Sequence, residues 1–513
     1  MSDFFEDFTL GEVHIRDKFQ FELKSEYLPV QTKGEPSYTT ELYLFAPASL
    51  QVNDSTYTKQ EFYRDQTSMI RYKTPLLSLE RLLSDEVDSP LQILRQQMAT
   101  GEPTPSFRVE LYELKLFANV VRSRIRDRVN HIIEQLGLVE NKLHFQLLHT
   151  KTLHFLERIR EVKEAKKEIS KELLSIEAFK PLKGDVECID EFISITIQHY
   201  LTVLLSAIRG TKDKVFREAD ALLTKMITEE DLYRRERHYP TTFSSSNPEV
   251  TSRAIWRLGE LNKYVFEVLF LNIRRKEPKA KFQAIGSMVA AGLAMFVYVG
   301  LLAWQGIGMG GGAGTTIVFN STAFILLSVL LYIVKDRLKE SMKSLSTKLA
   351  SHLYPDYTTD IQLPESDKAI GKVSEFFSFL DRSEVGEDVL KIRERGARDE
   401  LQEVRLLEKI LYFRKDVEIF PEAVRVDKRL RRVNDIFRFN VSQFLFKASD
   451  AKEDYLILNP MTGELEVISC PKIYHVYLIL KKTFLTRFRK KRIDFDTFRI
   501  VIDKEGIRRI DKV

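Results

Sequence analysis

The chain has 513 residues, 44% of them hydrophobic, and a formal net charge of +5 from 79 basic and 74 acidic side chains. That charge balance excludes the large basic excess of a dedicated nucleic-acid binder, and the apolar content excludes wholesale disorder. Cys188 and Cys470 are the only cysteines and lie far apart, which argues against a disulfide framework or a structural zinc site and for a reducing compartment.

Residues 1–84 read as a β-rich cytoplasmic region. The first eight residues are acidic and lack the basic, then apolar, pattern of a secretory signal, so they are expected to stay in the cytoplasm. Phe19, Phe21 and Leu23 alternate with polar residues, and Tyr38–Phe45 is rich in strand formers. The turn residues Lys33–Pro36 between them predict a hairpin.

Residues 85–280 read as a helical cytoplasmic region. From Phe107 to Leu136 the apolar positions Leu111, Leu114, Ala118, Val121, Ile125 and Ile132 keep helical spacing. Arg122, Arg124, Arg126 and Arg128 occupy the other face, read as solvated, with lipid headgroups or an acidic partner as the alternative. Asn141–Phe179 is coiled-coil-like: Leu148, Phe155, Val162, Ile169 and Ile176 recur every seven residues, interrupted by Thr152 and Lys166. That seam faces another helix of this chain or another protomer. His144, His149 and His154 are spaced by five, which scatters them around a helix and argues against a metal set. Asp127 and His131, one turn apart, read as a surface pair. Phe192–Ile208 is apolar but short and contains Gln198 and His199, so it reads as a buried core helix and not as a membrane span. Glu249–Arg275 is expected to be a helix leading to a bend at Pro278.

Residues 281–335 read as a transmembrane hairpin. Phe282–Trp304 holds 23 residues without a charge. At about 1.5 Å per residue it spans about 34 Å, enough for a hydrocarbon core of about 30 Å. Thr315–Val334 is a second uncharged run of 20 residues. The glycine-rich linker Gln305–Gly314 is too short for a domain and makes the two helices antiparallel neighbours. Cations flank both outer ends: Arg274, Arg275, Lys276, Lys279 and Lys281 before, and Lys335, Arg337, Lys339 and Lys343 after. The linker has none, so both flanks are expected on the cytoplasmic side. Gly286, Ala290 and Ala294 form a stripe of small residues suited to close helix packing, and Asn320 is expected to hydrogen-bond between helices.

Residues 336–430 read as a helical stalk and linker, partly loop over 354–385 and helical over Glu387–Arg414, with Leu401, Val404, Leu407 and Leu411 on one face. Residues 431–513 read as an antiparallel β domain. Its strands are Phe437–Phe446, a hairpin around Asn459–Gly463, Ile473–Leu480 and Phe498–Ile502. The two terminal β regions share a compartment and could pair with each other. Arg487, Arg489, Lys490, Lys491 and Arg492 form the densest basic cluster, read first as a solvated loop, with a contact for anionic lipid or a protein partner as the functional alternative and nucleic acid as a third option.

No P-loop, HExxH, GxSxG or dinucleotide fingerprint stands in a suitable context. The fold class expected is an α+β membrane protein. It has a two-helix transmembrane hairpin, a large helical cytoplasmic region and small antiparallel β regions at both chain ends. The expected function is that of a membrane-anchored cytoplasmic scaffold or regulator, without catalysis or cofactor. It would assemble with itself or with partner proteins, in a bacterial inner membrane, with both termini cytoplasmic. The alternatives are a subunit of an oligomeric channel or transporter, and an enzyme with an unrecognised cytoplasmic site.

Overall fold

The computed structural model describes residues 13–28, 37–84, 86–138, 142–211, 214–241, 243, 247–309, 322–363, 369–397, 407–420, 429–430, 432–450, 452–485 and 491–513. Two bodies and one apolar helical hairpin make up the described chain.

The first body is built from both ends of the chain and from its middle. A four-stranded sheet has the order β1-β2-β9-β4, with β1 Val13–Ile15, β2 Gln20–Tyr27, β4 Gln66–Tyr72 and β9 Val433–Asn440. An eight-stranded antiparallel sheet has the order β14-β13-β12-β3-β8-β7-β6-β5. Its strands are β3 Tyr38–Pro47, β5 Asn272–Lys276, β6 Tyr357–Gln362, β7 Ala369–Leu380, β8 Glu408–Ile419, β12 Tyr474–Leu485, β13 Lys491–Asp503 and β14 Gly506–Lys512. The terminal regions do pair: β2 runs along β9 and β3 along β12.

The two sheets face each other and meet at two corners. At one, Ile507 N donates to Lys18 O at 2.7 Å. Gly506 sits there at φ +137°, and a Cβ would stand 2.2 Å from Lys18 O, so only glycine lets the strands approach. At the other, Leu271 N donates to Ile70 O at 3.4 Å, just before β5 begins. Between the sheets lies an aromatic core. Phe62, on the short helix α1 Lys59–Asp65, stacks on Phe377 at 4.0 Å and lies 5.2 Å from Phe413 and 5.5 Å from Phe439.

Three stretches differ from the sequence expectation. The helix expected over Glu249–Arg275 ends at Phe266, and residues 272–276 form β5, paired with β6. Residues 354–385, expected to be partly loop, hold β6 and β7. Glu387–Ala397 is helical as expected, but residues 408–419 form β8, and 398–406 lie outside the described residues. The reason is period: Leu411, Phe413, Lys415, Val417 and Ile419 alternate into the interior every second residue, whereas Leu407 and Leu411 mimic a helical pair. The expected stalk and linker therefore carries three strands of the main sheet. Phe437–Phe446 is likewise divided, β9 ending at Asn440 before a turn of helix at Ser442–Leu445.

The second body is a bundle of α2 Leu79–Leu83, α3 Pro90–Thr100, α4 Arg108–Leu138, α5 Lys142–Ser175, α6 Lys183–Thr211, α7 Arg217–Glu236 and α8 Pro248–Phe266. The seam of α5 turns into this bundle, with Leu148, Phe155, Val162 and Ile169 buried in the common core. Its two polar interruptions are satisfied: Thr152 donates to Leu148 O at 2.8 Å, and Lys166 pairs with Asp190 at 2.6 Å. The basic face of α4 is not wholly solvated, since Arg122 is buried with its guanidinium 4.8 Å from the Phe266 ring. Asp127 pairs with its neighbour Arg126 at 2.7 Å. Both cysteines are half-buried.

The bundle is tied to the sheets by α4. Leu116 enters the cluster around Tyr27, Ile70 and Val433, and Glu113 takes both terminal nitrogens of Arg429 at 2.7 Å.

The apolar hairpin is α9 Pro278–Met309 and α10 Thr322–Leu353. It is inserted between β5 and β6, adjacent strands of the eight-stranded sheet.

Candidate functional site

The features that most need a functional explanation converge where the hairpin leaves the sheet. β5 delivers Arg275 and, one residue before Pro278, Glu277; β6 returns the chain at Asp356 and Tyr357. Antiparallel pairing of β5 with β6 thus brings the two feet of the hairpin together. Phe282 and Tyr354 close the base with ring centroids 4.7 Å apart.

Asp356 is the hub of this root. Its carboxylate accepts from Lys279 Nζ at 2.6 Å, Lys59 Nζ at 2.7 Å, Phe377 N at 2.7 Å and Tyr63 OH at 3.1 Å. Its own backbone N donates to Glu375 O at 2.8 Å. One side chain therefore joins α1, the first turn of α9, β7 and the foot of α10. Burial alone would raise its pKa, but the hydrogen bonds from Lys279 and Lys59 outweigh burial and hold it below the usual carboxylate range. Burial and the adjacent Asp356 carboxylate push the Tyr63 hydroxyl far up, so it stays a donor.

Beside the hub a cleft of about 310 Å³ opens between β4 and the β5–β8 side of the large sheet. It exists because β4 and β5 touch only near Ile70 and Leu271 and diverge from there. Its floor is charged and buried. Lys415 pairs with Asp435 at 2.5 Å and donates to Ser68 Oγ at 2.7 Å. Glu375 pairs with Arg275 at 3.2 Å. The Arg275 guanidinium also lies 3.6 Å from the Tyr357 ring centroid and 5.1 Å from that of Tyr63. Burial raises the Glu375 pKa above the usual range, and Asp435 adds to it, while Lys415 and Arg275 pull the other way. Gln66 lines the cleft with only 4% exposure, and its amide nitrogen has no hydrogen-bond partner among the described residues. Ile70, Ile273 and Val373 supply an apolar wall.

The small-residue stripe behaves differently from the rest of its helix. Ala290 and Ala294 are buried and Gly286 half-buried along the side of α9 that packs against α10. Tyr298 and Tyr332 meet across the two helices at 6.3 Å. Much of the rest of the helix is bare: Ile285, Met288, Val289, Leu293, Phe296 and Trp304 are all exposed. Asn320 lies outside the described residues, as do Arg487, Arg489 and Lys490. Lys491 and Arg492 begin β13 and are exposed, Arg492 pairing with Asp494 at 3.1 Å. Their strand is six strand spacings from β5 in the sheet order, about 29 Å at about 4.8 Å each, so these two residues do not belong to the hairpin root. Among the described residues no group of three or more His, Cys, Asp or Glu could hold a metal ion.

Sequence reading counted Arg275 and Lys279 as flanking cations but missed their partners Glu375 and Asp356. The available signal was a single inward-facing lysine, Lys415, in the alternating run of residues 408–419.

No protein-family model, no curated protein and no solved structure matches this chain. The reading of the site therefore rests on its geometry.

Proposed function

We propose that the chain is a membrane-anchored platform: α9 and α10 cross a bilayer as a hairpin, and both bodies lie together on its cytoplasmic face. One observation carries this reading. Among the described residues the hairpin presents an exposed apolar surface, and only 11% of its most apolar stretch, within Lys281–Gly300, is buried. In water such a surface is a large uncompensated apolar patch, whereas in hydrocarbon it is solvated. Internally bonded helix is also the form in which a backbone can enter lipid. The flanking cations favour the cytoplasmic orientation. Several are already engaged at the root, Arg275 by Glu375 and Lys279 by Asp356, which helps to set the angle at which the hairpin departs.

The platform role has its own support. β10 Lys452–Leu458 and β11 Leu465–Pro471 form an isolated two-stranded ribbon with Leu456, Leu458, Leu465 and Val467 exposed on one face. A lone two-stranded ribbon is marginal in water and gains stability by adding a strand or covering its apolar face. The bundle and ribbon would thus recruit a protein partner or a further copy. No chemical step is assigned to the chain.

Fractionation tests the anchor. The chain should stay with membranes through an alkaline carbonate wash and be released only by detergent. Full release into buffer would overturn the anchor. The mass of the detergent-purified particle tests the platform: a strict monomer with no co-purifying partner would remove that half of the reading.

A further inference from the structure

The cleft beside the hairpin root has unspent hydrogen-bonding capacity, and that capacity is of one kind. Gln66 offers an amide nitrogen without a partner at a position 4% exposed. Leaving a buried polar group unsatisfied is costly, so such groups ordinarily find a partner in the protein, in water or in a ligand. Arg275 spends one terminal nitrogen on Glu375 and presents a guanidinium whose side chain is 41% exposed. Arg64 adds a second guanidinium at the mouth, 59% exposed and 3.6 Å from the Asp65 carboxylate. Glu375, the one carboxylate lining the cleft, is already engaged by Arg275. With that carboxylate engaged, the donors of Gln66 and Arg275 suit a group that brings acceptors and negative charge, and an oxyanion brings both.

Position and shape narrow the class further. Arg275 stands three residues before Pro278, where the apolar helix begins. Ile70, Ile273 and Val373 give the same cleft an apolar wall beside its donors. A guanidinium fork with an adjacent amide matches the oxygens of a phosphate ester better than a single point charge would. A volume of about 310 Å³ lies at the lower end of the range for small-molecule sites.

We propose that this cleft binds a phosphate ester, with Gln66 and Arg275 donating to its oxygens and Ile273 against its carbon skeleton. The ester is either the glycerol-phosphate group of an anionic lipid or a soluble phosphate ester of similar size. The lipid source rests on the bilayer reading above, but the soluble source does not.

Thermal unfolding of the full chain separates these. In neutral detergent the probe is sn-glycerol 3-phosphate. In nanodiscs of phosphatidylcholine the variable is added phosphatidylglycerol. Ligand binding to the folded state raises Tm in a saturable, concentration-dependent way. A rise with the soluble probe assigns the free ester, and a rise only with phosphatidylglycerol assigns the lipid. Gln66→Leu removes a donor that no protein group uses, so ligand-free Tm should hold, while apparent affinity falls about tenfold, equivalent to about 1.4 kcal/mol. Arg275→Lys keeps the charge opposite Glu375 but loses the fork, and should weaken binding in the same direction. No rise with either probe would overturn the proposal. So would equal rises in wild type, Gln66→Leu and Arg275→Lys. A chain that fails the carbonate test can still pass the soluble-ester arm, so the two readings fail separately.

Discussion

Among the described residues, two helical stretches are long and apolar enough to cross a membrane, and their surroundings are opposite. In Glu177–Thr211, which contains α6, 67% of the most apolar stretch is buried; in Lys281–Gly300 of α9 the share is 11%. Length and mean apolarity pass both; charged side chains and the partners that meet them separate the two. α6 carries Asp190 and Glu191, and its neighbours answer each charge: Lys166, Tyr233 and Tyr239 meet Asp190, and Arg257 and Thr241 meet Glu191. Ser194 donates to Glu230 at 2.6 Å and accepts from the fully buried Arg234. α9 has no charge between Phe282 and Trp304, and only its narrow Gly286–Ala290–Ala294 side is covered. An apolar helix with polar side chains needs a protein around it to satisfy them, whereas one without them can be solvated by lipid alone.

The sharpest way to break this contrast is a matched pair of truncations. Phe192 on α6 is fully buried and meets Phe266 edge-on at 6.3 Å, while Phe296 on α9 is 79% exposed. Phe192→Ala should cost about 3–5 kcal/mol in denaturant unfolding of the bundle, as a large core side chain does. Phe296→Ala should leave the same transition within about 0.5 kcal/mol. Equal losses would mean that α9 is buried in a way its exposure contradicts.

Next in size is the root. Asp356→Asn strands Lys59 and Lys279 and should destabilise the sheet body by about 3 kcal/mol, in line with breaking a buried ion pair. The pH dependence follows from the lowered pKa of Asp356. The folded state holds the carboxylate ionised below its unfolded value of about 3.9, so this contribution is present above that pH and is lost as pH falls through the folded pKa. The acid limb of a wild-type Tm-against-pH curve below about pH 4 should therefore be shallower in Asp356→Asn, and identical limbs would remove Asp356 from the root's energetics.

A covered and an exposed position of α9 sharpen the contrast within one helix. Ala290→Leu forces a larger side chain into the α9–α10 contact and should lower detergent-solubilised Tm, by the equivalent of about 1–3 kcal/mol. Gly292 has nothing within 4 Å of where a Cβ would stand, so Gly292→Ala should be neutral or stabilising by up to about 1 kcal/mol.

The smallest effect belongs to Glu375. Its folded pKa is raised, so its stabilisation is fully present below the unfolded value of about 4.3 and declines as pH rises through the folded pKa. Glu375→Gln lacks that decline, and its stability relative to wild type should increase between pH 4 and pH 7 in parallel urea titrations. A constant difference would show that the ionised form costs nothing there.

Legibility followed the range of the interactions. The run of Phe282–Trp304, the α5 heptads and the strand patterns near both ends are local, and each was readable from spacing within one segment. β5 was not: five residues, Asn272–Lys276, all exposed, carry no apolar alternation, and only pairing with β6 makes them a strand. β8 was misread because an i, i+4 leucine pair imitates a helix where the inward set is every second residue. The cleft was invisible for a further reason. Gln66, Arg275, Glu375, Lys415 and Asp435 come from five strands spread over 370 positions of chain, and no spacing rule links them.

By itself, the sequence determined where the chain is apolar without interruption, where its charges flank that stretch, and which segments repeat with helical or strand period. These are properties of neighbours along a covalent backbone. Only the tertiary structure decided that the hairpin springs from adjacent strands of one sheet. It also decided that Asp356 gathers four donors at the hairpin's foot and that a donor-rich cleft opens beside it. Those follow from strand order and register, which bring distant residues within hydrogen-bonding reach and are set by the packing of the whole body.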